Sequence, residues 1–547
     1  MTLRDTNLDR LDGAEVDVLI VGGGINGAVS AAALASRGAS VILVDRGDFA
    51  GFTSQESSNL VWGGFKYLEN YELALVRKLC RSRNRLRRAY PSNITPIGFL
   101  AALDRSAPHP PWLAGLGAMA YWAIGDFATR PPQLYGARSV ARREPIVDTT
   151  SLRGALEYHD AYLNDNDARF VFGFVRAALD VGAIAANYVE VVGLERAAQR
   201  WRATLVDRET GAVSHCTARA LVNAAGPFAD GLNEQLGLRT DHRLVFSKGI
   251  HLVVPQLTAN HRVLAFFDDT QRLFYAIPMG RRTVIGTTDT RVDDPYSHVT
   301  DEDRDFLLDQ LNARLRLDEP LRRSDVIAER CGVRPLVVSR GSGDQEDRSW
   351  TSLSRRHELE LDRARDVITI FGGKLTDCLN VGVEVAEAIE ELGVRLDRDR
   401  HDWYGEPGGD TRREFYRQAR LMKLDGIRHK PGVEPLSDRL WRRYGRRAFA
   451  MLETIREDPA MGGDIMDSAD YLRAELHHAA HAEMITRLDD FLRRRSKISL
   501  VVHDRDVRAS AGLREVAEIL FGADADAKLV EHFGEVPPSA RSTAATA

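Results

Sequence analysis

The sequence predicts an α/β protein with a second, antiparallel sheet and an all-α C-terminal domain. Three observations predict this. Residues 16–21 form a short apolar run rich in β-branched residues, followed at once by a glycine-rich turn, a helical pattern and another strand. Residues 191–209 and 273–290 alternate in polarity with a period near two, which is typical of an antiparallel sheet. After about residue 400, apolar residues recur every three to four positions, which predicts helices.

Composition places the chain among large globular proteins. Its 547 residues are 44% hydrophobic and 28% charged, which excludes disordered, collagen-like and coiled-coil classes. The formal net charge is −5, so we expect no nucleic-acid partner. The four cysteines form no CxxC pair, which argues against a disulfide framework or a metal site and fits a reducing cytosol. The N-terminus lacks a signal-peptide pattern, and no apolar stretch reaches the ~18 residues needed to span a bilayer.

Changes of pattern along the chain predict its domain boundaries. We expect a leader over residues 1–15, a nucleotide-binding domain with interleaved substrate-binding segments over 16–400, and a helical domain over 401–522. Residues 523–547 end in PPSARSTAATA, which has no core-forming side chains, so we expect a flexible tail.

A nucleotide-binding motif follows the first predicted strand. Gly22, Gly24 and Gly27 form G-x-G-x-x-G, which allows a tight turn, close approach of the backbone to a pyrophosphate and close packing of the helix. Asp45 ends the next strand, where a carboxylate can hold a ribose hydroxyl. A glycine turn without a ligand is the alternative reading. Two more strand-like runs end in glycine, at Gly226 and Gly373, so several strand ends converge where a large cofactor would lie.

Seven ordered blocks of the chain resemble the FAD-dependent glycerol-3-phosphate dehydrogenases. They are GGGINGAVSAAALASRG, TSQESSNLVWGGFKYLENYE, NAAGPFAD, KGIHLVVP, IGTTDT, GVRPL and ITIFGGKLT. The resemblance implies a Rossmann-like FAD-binding domain of the glutathione-reductase type, an antiparallel substrate-binding sheet and a helical C-terminal domain. It implies oxidation of sn-glycerol 3-phosphate to dihydroxyacetone phosphate by hydride transfer to flavin N5, with electrons passed to quinone or another acceptor. We also expect a cytoplasmic protein, and peripheral binding to the inner face of the cell membrane and a homodimer stay open.

The resemblance also assigns candidate cofactor residues. Small hydroxyl residues and glycines of a second loop offer N–H and O–H groups to phosphate and flavin oxygens. A turn at residues 372–374 would place a helix N-terminus near the flavin, where partial positive charge favours the reduced anion. The candidate FAD-binding residues are Gly22, Gly24, Ile25, Asn26, Gly27, Asp45, Arg46, Thr53, Ser54, Ser57, Ser58, Asn59, Leu60, Gly63, Gly64, Val189, Ala225, Gly226, Gly373, Lys374, Leu375 and Thr376.

Oxidising a polyol phosphate requires cations for the phosphate and a group that takes the hydroxyl proton. The resemblance implies His251 as the proton acceptor and Arg334 as the group that stabilises the developing alkoxide. Lys374 is the third candidate catalytic residue. Without the resemblance, His251 reads as a buried core histidine and a lone arginine as a surface group. Further candidates for the substrate pocket are Lys66, Tyr67, Trp62, Arg355 and Arg356.

The rare lysines mark where this chain departs from the family pattern. Only eight of the 74 basic residues are lysine, and Lys66, Lys248 and Lys374 lie inside the matching blocks. Lys66 stands where the family has an arginine, and a point charge does not replace a bidentate guanidinium. The other departures are Asn59, Trp62, Ile250, Asp377 and Cys378. The same flavin chemistry on another polyol phosphate or a hydroxy acid therefore stays open, as does a non-catalytic flavin-binding protein that docks on a membrane or a partner.

Residues 73–103 contain seven basic and no acidic residues. The following apolar run, residues 112–124, carries Trp112, Tyr121 and Trp122, which suit a water–lipid boundary. Two readings stay open. Either this segment docks on an anionic membrane, or it is a solvated helix face followed by a buried core helix.

Overall fold

A computed structural model of the chain describes residues 2–69, 71–268, 270–341, 356–397, 402–427, 433–466 and 469–541. The chain divides into two compact units. The larger comprises Leu11–Arg88 with Ile94–Trp403, and the smaller comprises Met1–Arg10, Ala89–Asn93 and Tyr404–Ala547.

The first sheet of the larger unit has a parallel centre, as the apolar strand runs predict. Its strands lie in the order β17-β18-β10-β1-β2-β7, and β9 and β8 extend it from β10. Strands β18, β10, β1, β2 and β7 are parallel, whereas β17, β9 and β8 join antiparallel. Parallel strands end at one edge, so their following turns meet there. The strands are β1 (Ala14–Val21), β2 (Val41–Val44), β7 (Ile184–Ala186), β8 (Val189–Ala197), β9 (Arg200–Asp207), β10 (Val213–Asn223), β17 (His357–Asp362) and β18 (Val367–Gly372).

Three helices cover this sheet. Helix α2 (Ile25–Ser36) contacts both α6 (Asp167–Asp180) and α9 (Cys378–Glu391). Its alanine-rich sequence leaves almost every residue buried, since small side chains allow close approach on several faces. The helix begins directly after the glycine turn and presents its N-terminus to the edge where the parallel strands end.

The second sheet is mainly antiparallel, as the alternating pattern of residues 273–290 predicts. Its strand order is β15-β11-β14-β13-β12-β4-β6-β3, with β16 paired to β11 and β5 paired to β6. The other alternating segment, residues 191–209, belongs to the first sheet as the β8–β9 hairpin. The strands are β3 (Leu60–Val61), β4 (Ile94–Leu103), β5 (Gln133–Tyr135), β6 (Gly154–Leu163), β11 (His242–Pro255), β12 (Arg262–Phe267), β13 (Leu273–Met279), β14 (Arg282–Gly286), β15 (Thr290–Val292) and β16 (Ala328–Ser339).

One face of the second sheet packs on helix α8 (Asp301–Asn312). Ile250, Leu252 and Val254 of β11 share a buried cluster with Leu307 and Leu311. His251 lies between two of these apolar residues and therefore points to the opposite face of the sheet. The remaining helices of this unit are α3 (Leu73–Ala89), α4 (Pro111–Ile124), α5 (Ala137–Arg143) and α7 (Ala229–Gln235).

The smaller unit is helical, as predicted. Two apolar cores hold it together, one built around Phe415, Leu440 and Trp441 and the other around Leu476 and Phe491. Among the described residues, no helix of the chain is both long and apolar enough to cross a bilayer. The helices are α10 (Gly409–Leu421), α11 (Leu424–Ile427), α12 (Leu436–Tyr444), α13 (Ala448–Glu457), α14 (Arg473–Ala482), α15 (Ile498–Val501), α16 (Asp504–Ala509), α17 (Leu513–Phe521) and α18 (Ala525–Phe533).

The structure differs from two of the predicted boundaries. The tail predicted from residue 523 instead begins with helix α18, because Ala525, Leu529 and Phe533 recur every four residues and are buried in the second helical core. The leader predicted over residues 1–15 contains helix α1 (Leu3–Leu11) and the start of β1. Arg4 and Asn7 of α1 are buried although they are polar, so apolar periodicity could not reveal this helix.

Candidate functional site

A cavity of about 750 Å³ lies where the parallel strands of the first sheet end. Glycine turns after β1, β10 and β18 contribute Gly22, Gly226 and Gly373 to its wall. Asp45, which follows β2, lines the same cavity. The three glycine-ended strands are neighbours in the sheet, so the predicted convergence of their ends is present in the structure.

The turn after β1 has room only for glycine. Gly22 has a φ of 105°, and a Cβ there would lie 2.5 Å from the carbonyl oxygen of Ala224. A Cβ on Gly27 would lie 1.9 Å from the carbonyl oxygen of Gly22. The side chain of Ser54 closes the turn, because its Oγ accepts a hydrogen bond from the N–H of Ile25 at 3.0 Å. The G-x-G-x-x-G segment therefore combines a tight turn with close helix packing, as a pyrophosphate site requires.

Asp45 is held by the backbone of two turns. Its Oδ2 accepts from the N–H of Gly23 at 2.6 Å, and its Oδ1 accepts from the N–H of Gly47 at 2.8 Å. Burial raises the pKa of this carboxyl, and the two amide hydrogen bonds act in the opposite direction. The carboxylate is thereby oriented at the position where dinucleotide folds bind a ribose hydroxyl.

The cavity also holds a buried polar atom that fits a cofactor. The amide of Asn26 donates to the carbonyl oxygen of Gly372 at 2.9 Å, whereas its Oδ1 has no hydrogen-bond partner among the described residues. Buried acceptors without a partner are uncommon in native proteins. Together with the glycine cradle, this atom shows that the residues present fit a bound dinucleotide. The predicted cofactor residues that line the cavity are Gly22, Gly24, Ile25, Asn26, Asp45, Arg46, Thr53, Ser54, Val189, Ala225, Gly226 and Gly373.

Several predicted cofactor residues of the second loop take part in a buried polar network, and their contact with the cofactor stays a prediction. Ser57 donates to Asp167 Oδ2 at 2.8 Å, and the amide of Asn59 donates to the carbonyl oxygen of Asp165 at 2.5 Å. Arg330 is 1% exposed and links these two contacts, because it donates to Asn59 Oδ1 and to Asp167 Oδ2, the atom that also accepts from Ser57. Asn59 is therefore a structural residue of this loop. Ser57, Ser58, Asn59, Leu60, Gly63, Gly64, Gly27, Lys374, Leu375 and Thr376 do not line the cavity.

The double glycine is anchored by a second buried network, which sequence reasoning missed. The N–H of Gly63 donates to Asp160 Oδ1 at 3.2 Å. Asp160 also binds Arg83 at 2.5 Å and the hydroxyl of Tyr121 at 2.9 Å. Arg83 and Asp160 lie 77 residues apart on elements whose apolar patterns do not show the pairing. The position of Gly63–Gly64 thus depends on a buried ion pair.

His251 and Arg334 lie on the paired strands β11 and β16. His251 is 4% exposed, and its Nδ1 has no hydrogen-bond partner among the described residues. Burial lowers its pKa well below the ordinary value, and the nearby charges of Arg330 and Arg334 lower it further. The imidazole is therefore neutral at physiological pH and can accept a proton.

Arg334 keeps a fixed orientation over the backbone of β11. It donates to Thr287 Oγ1 at 2.8 Å, and its guanidinium occupies the space that a Cβ of Gly249 would fill. Its chain neighbour Pro335 lines the cofactor cavity, and the carbonyl oxygen of Val333 accepts a hydrogen bond from Oγ1 of the cavity residue Thr53 at 2.7 Å. The backbone of β16 at Arg334 therefore runs beside the cavity, whereas the side chains of Arg334 and His251 are not among its lining residues.

Lys374 and Tyr67, both predicted at the substrate site, contact each other. Lys374 Nζ donates to the Tyr67 hydroxyl at 2.6 Å and lies 4.1 Å from the centre of its ring. The Trp62 ring lies 5.8 Å from that of Tyr67, so Trp62 forms part of the same wall. Lys66, in contrast, is exposed. Among the other predicted substrate residues, Arg356 pairs with Glu72 at 3.7 Å, and Arg355 lies outside the described residues.

Two departures from the family pattern have structural explanations. Ile250 belongs to the apolar face of the second sheet, opposite His251. Asp377 is 5% exposed and paired with His357, so its charge is neutralised inside the protein. These two residues therefore differ for reasons of packing and pairing. Lys248, which agrees with the family pattern, donates to Asp303 at 2.6 Å and so ties β11 to α8.

Four of the seven basic residues of segment 73–103 are paired with acidic residues from elsewhere in the chain. Asp126 lies within 3.7 Å of both Arg77 and Arg81, and Lys78 pairs with Glu384 at 3.2 Å. The segment is therefore no isolated basic patch, which a count along the sequence cannot show. Further basic residues of α3 make internal contacts, namely Arg83 with Asp160, Arg85 with Asn380 and Arg87 with the carbonyl oxygen of Ala128.

Helix α4 keeps an apolar face in solvent. Tyr121 is buried in the Asp160 network, but Trp112 is 64% exposed and Leu116 is 59% exposed. Leu113, Met119 and Phe127 are exposed as well. Neither of the two roles predicted for residues 112–124, membrane docking or a buried core helix, describes α4 fully. One face of α4 is buried, and the other carries exposed large apolar side chains.

Two protein-family models match this chain. The family model described as "FAD dependent oxidoreductase" matches residues 17–353, and that of the "C-terminal domain of alpha-glycerophosphate oxidase" matches residues 409–528. Glycerol-3-phosphate dehydrogenase 2 of Mycobacterium tuberculosis is 30% identical over 545 residues, covering 98% of this chain and 90% of that protein. Glycerol-3-phosphate dehydrogenase of Pseudomonas tolaasii is 31% identical, covering 89% of this chain and 93% of that protein.

Solved structures agree with the fold. The glycerol-3-phosphate dehydrogenase from Bacillus halodurans, complexed with FAD, has a TM-score of 0.71 at 24% identity and covers 97% of both chains. The L-alpha-glycerophosphate oxidase from Mycoplasma pneumoniae, with FAD bound, has a TM-score of 0.53 at 16% identity, covering 72% of this chain and 98% of that one.

Proposed function

Because the chain belongs to the FAD-dependent oxidoreductases and, within them, to the glycerol-3-phosphate dehydrogenase family, we propose that it oxidises sn-glycerol 3-phosphate to dihydroxyacetone phosphate. The observation that carries this proposal is the pairing of β11, which bears the buried neutral imidazole of His251, with β16, where Pro335 next to Arg334 lines the cofactor cavity. When bound, FAD supplies the hydride acceptor for the carbinol carbon.

The protein's own residues divide the remaining work. His251 is uncharged at physiological pH and takes the proton of the substrate hydroxyl, a role in which a positioned base contributes about 10²–10⁴-fold. Arg334 stabilises the negative charge that develops on the same oxygen. Lys374 binds the phosphate, and its hydrogen bond with Tyr67 orients the ammonium. The glycine turn at residues 22–27, Asp45 and Asn26 hold the FAD.

Trp62 and Lys66 are the basis of a second proposal about the substrate. Trp62 brings a bulky ring next to Tyr67, and Lys66 is exposed. These departures from the family pattern keep the alternative open that the substrate is another polyol phosphate or a hydroxy acid.

Anaerobic bleaching of the bound flavin near about 450 nm separates these proposals. The holoenzyme is mixed with glycerol 3-phosphate, other polyol phosphates and hydroxy acids in turn. Bleaching by glycerol 3-phosphate supports the first proposal, and bleaching by another compound alone supports the second. If no compound bleaches a flavin that dithionite still reduces, the protein is a non-catalytic flavin-binding protein.

We further propose that electrons leave to a quinone and that the exposed face of α4 docks on the inner surface of the cell membrane. Trp112, Leu113, Leu116, Met119 and Phe127 support this, because clustered exposed apolar residues mark membrane or protein contacts. Insertion of apolar side chains predicts binding that persists at high salt, unlike binding by a basic patch. A homodimer also stays a proposal, and light scattering of the purified holoenzyme tests it.

A further inference from the structure

A buried charge cluster lies directly behind the turn at residues 372–374. His357 begins β17 and pairs in register with Gly372, and its side chain is 1% exposed. Its Nε2 is hydrogen-bonded to Glu384 Oε2 at 2.7 Å, and its Nδ1 lies at an ion-pair distance of 2.9 Å from Asp377 Oδ2 without the angle of a hydrogen bond. Glu384 belongs to α9, and Asp377 immediately precedes that helix. The imidazole therefore ties the start of β17, which is paired with Gly372, to α9 on the other side of the turn.

The cluster is electrically balanced only when His357 carries a proton. Lys78 of α3 lies 3.2 Å from Glu384 and 3.6 Å from Asp377, so two cations face two carboxylates. Asp377 is completed by Ser82 of α3, which donates at 3.0 Å. No other charged side chain contacts the imidazole among the described residues of β17, β18, α3 and α9.

Two neighbours show that the turn is confined from both sides. A Cβ on Gly373 would lie 3.5 Å from His357 Cβ on one side and 3.2 Å from Asn26 Oδ1 on the other. Asn26 also holds the carbonyl oxygen of Gly372. Gly372 and Gly373 both line the cofactor cavity, and Lys374 follows them. A change behind the turn is therefore transmitted to the residues that face the cofactor.

We propose that His357, as an imidazolium held between Asp377 and Glu384, is a positioning residue that keeps the 372–374 turn in the conformation that retains FAD. His357 would act on FAD binding alone, whichever substrate the enzyme oxidises. Its pairing also gives a role to Asp377, a departure from the family pattern, which supplies the second carboxylate of the cluster.

The structure predicts the pH at which this positioning fails. Burial by itself lowers the pKa of His357, but the contacts with Asp377 and Glu384 outweigh it and raise the pKa to about 9. A neutral imidazole has one N–H and can donate to only one of the two carboxylates. The contribution of the cluster is therefore complete at neutral pH and is lost as the pH rises through about 9.

The test is the rate of FAD release from the holoenzyme, followed by the rise in flavin fluorescence after dilution. For the wild type we expect a constant rate up to about pH 8 and an increase of about tenfold around pH 9, the scale of one charged hydrogen bond. His357→Gln should release FAD about tenfold faster at neutral pH, with no step near pH 9, because glutamine reaches only one carboxylate. His215→Gln removes an exposed histidine near the start of β10, at the opposite edge of the sheet, and should leave the rate unchanged.

Glu384→Gln serves as a second variant if His357→Gln does not fold, since the Glu384 side chain is 39% exposed. It should move the step to lower pH, because one of the two carboxylates that raise the pKa is gone. A wild-type rate that stays flat through pH 9, or a Glu384→Gln step at the wild-type pH, would overturn the proposal. Neither result bears on substrate oxidation, which the bleaching experiment tests separately.

Discussion

Replacing Gly27 by alanine should disrupt the nucleotide turn from inside the fold. The added Cβ would lie 1.9 Å from the carbonyl oxygen of Gly22 and 3.3 Å from the Cβ of Ala224. Contacts closer than about 3.4 Å are rare, so α2 would have to move by about 1.5 Å. The obstacles are backbone and a Cβ in the turns directly after β1 and β10, which cannot yield as a flexible side chain can. Overpacking costs about 1–3 kcal/mol, and we expect the upper end here because the main obstacle is backbone.

The assay measures the unfolding free energy and the flavin content of Gly27→Ala and of a matched variant at another helix glycine. Gly173 lies within α6 of the same unit and has no atom within 4 Å of its would-be Cβ. Gly173→Ala should therefore stabilise the protein by about 0.5–1 kcal/mol and leave its FAD content unchanged. Gly27→Ala should lose about 3 kcal/mol in denaturant unfolding and most of its absorbance at about 450 nm. Wild-type stability and flavin content in Gly27→Ala would refute the steric argument.

Three further changes test other parts of the structure. Asp160→Ala leaves a buried arginine unpaired and should cost about 3–5 kcal/mol in denaturant unfolding, whereas Glu391→Ala breaks an exposed pair and should cost less than about 1 kcal/mol. Equal losses would contradict this difference. His251→Gln should lower kcat about 10²–10⁴-fold. Because the pKa of His251 is depressed, the wild-type kcat at saturating substrate should not fall as the pH drops through about 6.5, and a fall there would argue against His251 as the base. Leu116→Asp should abolish pelleting with liposomes while Val213→Asp, at another exposed apolar position, retains it; pelleting of both variants would exclude α4 as the docking face.

The cofactor site was the part of the function most accessible from sequence. Its chemistry depends on backbone turns, and glycine spacing after an apolar strand reports those turns directly. The convergence of the ends of β1, β10 and β18 also followed from sequence, because buried parallel strands end at one edge. The individual residues of the second loop were harder to assign. Ser57 and Asn59 hydrogen-bond to residues more than 100 positions away, and no local pattern records such partners.

The substrate side shows the same limit. Ile250 looked like a change beside His251, but strand alternation turns it to the opposite face. Asp377 looked like an added negative charge, but His357 pairs with it across the turn. Lys66 looked like a phosphate ligand by its position in a motif, yet its side chain is exposed.

The sequence by itself determined the α/β class, the nucleotide turn, the family and the helical C-terminal region, because each rests on local spacing of glycines and apolar residues. Only the tertiary structure decided which charged side chains are paired within the protein. The Arg83–Asp160 pair, the His357 cluster and the other ion pairs of the basic segment all join residues far apart in the chain. Charge is the property that pairing changes most, since a buried ion is stable only with its partner. A count of charges along the chain therefore could not show which cations face the substrate.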